Sequence, residues 1–73
     1  MATATLENEL DTIGYTAGMI WHFLGDNGPT TMTQLVKAID APRDKVMQGV
    51  GWLAREGKIC YEEGSRSKTI RLV

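Results

Sequence analysis

The sequence predicts an α+β domain in which three helices precede a small antiparallel sheet. Apolar residues recur at helical spacing between about Leu10 and Leu24, which indicates a first helix. Helix-start signals then occur twice, as a Thr31-x-x-Gln34 capping motif and as Pro42. Two short runs of alternating apolar residues close the chain. At 73 residues, we expect one domain near the lower size limit for folding without a disulfide or a metal.

The first helix is predicted from its apolar face. Its expected core residues are Leu10, Ile13, Ala17, Ile20, Trp21 and Leu24. Gly25 and Gly28, in the segment GDNG, are expected to end it. Residues 1–9 are small and polar, so we predict a flexible N-terminal segment followed by a domain over residues 10–73.

The second helix is predicted to begin at the capping box. Pro29 and Thr30 leave room for a strand of one or two residues before it. The Thr31 hydroxyl is expected to accept from the Gln34 backbone N–H, while the Gln34 side chain accepts from the Thr31 N–H. The inward residues would be Leu35, Val36 and Ile39, with the helix ending near Asp40.

The third helix is predicted over residues 42–56, with Pro42 as its first helical residue and Gly57 just beyond its end. Ala41, just before it, is a poor N-cap residue. The expected buried face consists of Val46, Met47, Val50, Leu53 and Ala54. The opposite face would show Asp44, Lys45, Gln48, Gly49, Trp52, Arg55 and Glu56.

The last two segments, KICYEE and KTIRLV, predict a β-hairpin joined by the loop GSRS. Alternation places Ile59 and Tyr61 inward against Ile70 and Leu72, and it places Cys60 outward.

The segment TMTQLVKAIDAPRDKVMQGVGWLAREGKI, followed by a hairpin, resembles a winged helix-turn-helix domain over about residues 10–73. Within it, VGWLAREGK is similar to a small family of uncharacterised single-domain bacterial winged-helix proteins. The resemblance implies a fold of three helices with a small antiparallel sheet and a C-terminal wing. It also implies that helix 42–56 enters a DNA major groove while the wing at residues 64–67 touches the backbone.

The basic residues are concentrated in the half of the chain that is expected to contact DNA. Residues 1–36 carry four acidic side chains and no Lys or Arg, whereas residues 37–73 carry all eight basic residues against five acidic ones. Duplex DNA is therefore the expected partner, and a small transcriptional regulator the expected role. The candidate DNA contacts are Arg43, Lys45, Gln48, Arg55, Lys58, Arg66, Lys68 and Arg71. Asp44, Glu56, Glu62 and Glu63 lie among them and would repel phosphate.

A second apolar stripe on the first helix predicts a homodimer. Tyr15, Met19 and Phe23, bordered by His22, recur four residues apart opposite the expected core face. We expect a second copy to cover this stripe. Gly14 and Gly18 would let the two backbones approach closely.

Trp52 leaves three interpretations open. It packs against the wing strands, contacts a protein partner or dimer mate beside Gly49, or stacks on an unpaired base. The second interpretation supports an alternative function, a protein-interaction module without DNA binding that uses Trp52 or the Tyr15/Met19/Phe23 stripe.

Enzymatic and cofactor-dependent functions are not predicted. His22 is the single histidine and lacks a partner at catalytic spacing, and Cys60 is the single cysteine, which excludes an internal disulfide. We expect no metal, no membrane segment, no signal peptide and a reducing cytoplasmic setting. The sequence does not identify a small-molecule effector.

Overall fold

The computed structural model of the chain describes residues 7–64 and 67–73, with side-chain environments from residue 11 onward. Its elements are α1 (Glu7–Asn27), β1 (Thr30–Thr31), α2 (Met32–Ala38), α3 (Arg43–Arg55), β2 (Ile59–Glu63) and β3 (Lys68–Leu72). The predicted element order and the α+β class are confirmed. The central part of the predicted wing loop, Ser65 and Arg66, lies outside the described residues.

The three strands form one antiparallel sheet in the order β1-β3-β2. Thr30 pairs with Ile70 on one side of β3, and Tyr61 pairs with Ile70 on the other side. The middle strand is therefore the last one in the chain. The β2–β3 hairpin forms the wing, and the two-residue β1 completes the opposite edge.

Helix α1 runs past Gly25 and ends where the chain first adopts a left-handed conformation. Gly28 has φ 77 and donates its N–H to the Leu24 carbonyl at 2.9 Å. Ala17, Ile20 and Leu24 are buried as predicted. Trp21 is exposed over about two fifths of its surface, so its assignment to the core was wrong.

Helix α2 confirms the predicted capping box. The Gln34 N–H donates to Thr31 Oγ1 at 3.2 Å, and the Thr31 N–H donates to Gln34 Oε1 at 3.1 Å. The helix ends at Ala38, slightly earlier than expected, because Ile39 turns extended while its N–H still bonds to the Leu35 carbonyl. Leu35 and Ile39 are both buried in the core.

Helix α3 begins one residue later than predicted. Pro42 is its N-cap residue with an extended ψ of 150, and the Pro42 carbonyl accepts from the Val46 N–H at 3.0 Å. Val46, Val50 and Leu53 are buried as predicted.

Three α3 positions depart from the predicted helical wheel. Met47 and Ala54 are exposed rather than buried. Gly49 is buried rather than outward-facing. The buried stripe is thus rotated toward Gly49, away from the Met47 side of the helix, because this is the side on which α1 lies.

At Gly49, α3 packs closely against α1. A Cβ placed on Gly49 would lie 2.9 Å from Ile20 Cδ1 and 3.2 Å from the Ala17 backbone nitrogen. Real Cβ atoms essentially never show the shorter of these distances. The helix interior therefore needs glycine here for packing, although glycine lowers helix propensity by about 1 kcal/mol relative to alanine.

The hairpin contributes Ile59 and Ile70 to the core, with Leu72 half-buried beside them. Tyr61 shares the face of Ile59 but is exposed, so its predicted burial was wrong. Gly57, with φ 72, ends α3 and lets the Lys58 N–H donate to the Leu53 carbonyl at 3.0 Å.

The two interior glycines of α3 predict opposite effects of alanine on stability. Gly49→Ala should lower the free energy of unfolding by about 1–2 kcal/mol, since overpacking costs more than helix propensity returns. Gly51→Ala should raise it by about 0.5–1 kcal/mol, because its Cβ would meet nothing within 4 Å. Urea unfolding followed by circular dichroism measures both. Equal effects of the two substitutions would contradict the close helix approach.

Candidate functional site

The outward face of α3 carries part of the predicted DNA contact set. Gln48 and Arg55 are exposed and two helical turns apart on the same face, while Arg43 is exposed in the first turn. Lys45 is half-buried on the flank. The structure therefore brings one amide and two guanidinium groups to a surface that no other described element covers.

An acidic residue lies on the same face. Asp44 is exposed one turn before Gln48, and its Oδ1 accepts from the Lys45 backbone N–H at 3.0 Å. This bond belongs to the first turn of the helix, where a carboxylate is stabilised by the free backbone N–H groups. The face is thus mixed in charge rather than uniformly basic.

The hairpin holds its basic residues in two different states. Lys58 and Lys68 are exposed, whereas Arg71 is half-buried and already bonded. Arg71 Nε lies 3.0 Å from Glu62 Oε1, and Arg71 Nη1 donates to the Leu72 carbonyl at 2.9 Å. Glu62 lies diagonally across the hairpin, since Arg71 pairs directly with Cys60. Sequence reasoning missed this ion pair because it depends on the strand register. Arg66 lies outside the described residues.

The predicted dimer stripe on α1 does not form one exposed surface. Tyr15 is 71% exposed and His22 is exposed, but Met19 and Phe23 are half-buried and pack against the core cluster. The chain's own core therefore partly covers these two residues. Helix α1 contacts β3 as well as α3, and a Cβ on Gly25 would lie 3.6 Å from Leu72 Cδ1.

Trp52 lines a groove between α1 and α3 instead of lying buried beneath the hairpin. The groove has a volume of about 260 Å³, and its lining residues are Gly14, Ala17, Gly18, Trp21, Trp52, Leu53 and Lys58. Trp21 is 43% exposed and Trp52 is 42% exposed. The Trp21 ring also meets the His22 ring edge-on, with their centroids 5.3 Å apart. The sequence did not predict the groove because Trp21 was assigned to the core, although Gly14 and Gly18 marked a smooth helix surface.

Two other kinds of site find no support in the described part of the chain. No three His, Cys, Asp or Glu side chains there are grouped so that they could hold a metal ion. Among the helices described, none is long and apolar enough to cross a membrane.

The fold and the exposed third helix define the chain as a winged helix-turn-helix domain. It belongs to the family described as "Winged helix-turn-helix domain (DUF2582)", whose model matches residues 7–72. No curated protein matches the chain.

Two solved structures are similar to the chain. The solution structure of protein BT2368 from Bacteroides thetaiotaomicron has 27% sequence identity and a TM-score of 0.75. That match covers 85% of this chain and 76% of BT2368. A crystal structure of an ArsR family transcriptional regulator has 21% identity and a TM-score of 0.60, over 97% of this chain and 77% of the regulator. At that identity, the second likeness shows the fold alone.

Because side chains along α1 are unequally buried, replacing them with alanine is predicted to change the free energy of unfolding by unequal amounts. Phe23→Ala should lower the free energy of unfolding by about 2–3 kcal/mol, because it removes a ring packed on the core. Tyr15→Ala should change it by no more than about 0.5 kcal/mol in dilute solution. Thermal unfolding of both variants measures the difference. A Tyr15→Ala loss as large as that of Phe23→Ala would show that the two side chains are equally packed, contrary to the structure.

Proposed function

We propose that the protein binds duplex DNA as a small, non-enzymatic transcriptional regulator. In this proposal α3 enters the major groove and the hairpin lies on the adjacent backbone. The observation that carries it is the uncovered outward face of α3, where Arg43, Gln48 and Arg55 are exposed. Membership of a winged helix-turn-helix family supports the same docking geometry.

The chemistry of this face divides the contacts into two kinds. Gln48 has the amide geometry to pair with adenine, and Arg43 the guanidinium geometry to pair with guanine. Arg55 together with the exposed Lys58 and Lys68 is assigned to phosphates, which carry no sequence information. Arg71 is a weaker candidate for a phosphate contact than the sequence indicates, because its guanidinium already forms an ion pair with Glu62.

Binding by one copy should be modest and strongly salt-dependent. With three or four phosphate contacts, the logarithm of affinity should fall with the logarithm of salt at a slope of roughly −3. The net charge of −1 and the exposed Asp44 both oppose tighter binding. A second copy would double the contacts, so we include a homodimer in the proposal.

The proposed dimer contact is the part of α1 that the core leaves uncovered. Among the helix residues whose side chains are described, Thr16 is the first that is buried, and Tyr15 just before it is largely exposed. A helical segment with little packing of its own is marginally stable alone, and packing against a second copy would stabilise it.

The DNA proposal predicts a defined response to charge removal. Arg55→Gln and Arg43→Gln should each weaken binding to a fluorescein-labelled generic duplex, and Arg55→Gln should reduce the salt slope by about 1. Lys37→Gln removes an equal charge from an exposed position on α2 outside the proposed contacts, and should have the smaller effect. Fluorescence anisotropy at low and moderate salt measures all three. Absence of binding by the parent protein at low salt would favour the protein-interaction alternative.

The dimer proposal predicts that Tyr15→Glu yields a folded monomer. The introduced carboxylates would face each other near the two-fold axis, where like charges repel. Thr33→Glu adds the same charge at an exposed position on α2 and should leave the dimer intact. Sedimentation equilibrium gives the mass of each. A parent protein that is monomeric, or an unchanged mass for Tyr15→Glu, would remove this interface from the proposal.

A further inference from the structure

Apart from Lys58, the residues that line the groove between α1 and α3 have no role in the proposed DNA contacts. Trp21 of α1 and Trp52 of α3 are its two aromatic walls, and each leaves more than two fifths of its surface exposed. Gly14, Ala17 and Gly18 give the α1 side of the groove a surface of small residues. The groove therefore combines a surface of small residues with two large aromatic rings.

The glycines of the α1 side are not required by the fold. Neither Gly14 nor Gly18 has a positive φ, and a Cβ on either would meet nothing within 4 Å. Gly49 shows the contrasting case, in which close packing within the chain demands glycine. In a helix interior alanine is the more favourable residue. What Gly14 and Gly18 add to the molecule is thus open space between the tryptophans.

The lining also indicates the chemistry of an occupant. Exposed indole rings bind flat π-systems by stacking and edge contacts. Lys58 carries the only charge among the described residues that line the groove, and that charge is positive. The volume of about 260 Å³ lies just below the usual range for small-molecule pockets, so it suits a ligand of one or two rings.

We propose that this groove binds a small planar aromatic molecule bearing an anionic group, with the rings between Trp21 and Trp52 and the anion at Lys58. A free aromatic acid and an aromatic phosphate such as a mononucleotide share this chemistry. Lys58 is common to this site and to the proposed DNA contacts, but occupancy of the groove by a free ligand is measured without DNA, so the site can hold or fail with the DNA proposal unchanged.

A titration of the full ¹⁵N-labelled chain tests the proposal directly. The probes are 1-naphthaleneacetate and its neutral analogue 1-naphthaleneacetamide, with adenosine monophosphate as the phosphate-bearing probe. We expect saturable shifts at both indole N–H signals and at the Gly14 and Gly18 amides. The acid should bind about two- to fivefold more tightly than the amide, the contribution of one exposed charge pair. Whether the acid or the mononucleotide binds more tightly shows whether the groove prefers a carboxylate or a phosphate ligand.

Two pairs of variants connect the binding to the groove. Lys58→Gln should abolish the preference for the acid over the amide, whereas Lys68→Gln, on β3 and outside the groove, should preserve it. Gly18→Leu fills the groove and should lower the binding affinity of both probes at least about tenfold. Gly51→Leu places the same side chain at another open helix position outside the lining, and should leave binding unchanged. Gly18→Ala introduces a smaller side chain that is expected to retain the fold. It should lower the binding affinity of both probes to a lesser degree.

The proposal is overturned if neither indole shows a saturable shift up to the solubility limit of the acid. Equal affinities of the parent protein for acid and amide would overturn the assignment of an anionic ligand. Unchanged binding by a folded Gly18→Leu variant would show that the probes bind elsewhere.

Discussion

The close approach of α3 to α1 at Gly49 is the contact on which the other features of this domain depend. With the Gly49 backbone against Ala17 and Ile20, one face of α3 reaches the core through Val46, Val50 and Leu53. The orientation that buries this stripe also turns Gln48 and Arg55 outward. It also places Trp52 beside the groove that lies between α1 and α3. A larger residue at Gly49 would separate the helices and alter both surfaces, because packed interiors do not yield easily to extra volume.

The sheet explains why such a short chain can cover a long helix on more than one side. β3 is its central strand, and Ile70 is buried with β1 on one side and β2 on the other. Leu72, at the end of β3, lies close to Gly25 of α1, since a Cβ on Gly25 would be 3.6 Å from Leu72 Cδ1. Met19 and Phe23 pack partly against the chain's own core, whereas Tyr15, nearer the N-terminal end of α1, is largely exposed. Glycine serves a packing role at Gly49 and a conformational one at Gly28 and Gly57, where φ is positive.

Sequence reasoning predicted the features that are determined locally. The capping box at Thr31 and Gln34 and the hairpin follow from short segments with their own hydrogen-bonding requirements. Periodicity also predicted the core of each helix, but it could not tell which flank a neighbouring element would cover. That is why Trp21 and Met47 were assigned inward and Gly49 outward. Tyr61 was assigned inward for a related reason, since alternation gives the face on which a strand residue lies but not how much of that face other elements cover. The Arg71–Glu62 ion pair required the strand register, which the sequence does not give with certainty.

The packing of α3 on α1 is tested most directly by the proton distance between Gly49 and Ile20. Strong nuclear Overhauser effects are expected from the Gly49 α-protons to the Ile20 δ1 methyl group, since a Cβ on Gly49 would lie 2.9 Å from that carbon. Weaker effects are expected from Gly49 to Ala17, and none from Gly51 to either residue. Contacts from Gly51 instead of Gly49 would mean that α3 is rotated on α1. The outward face, the groove and both proposals built on them would then have to be reassigned.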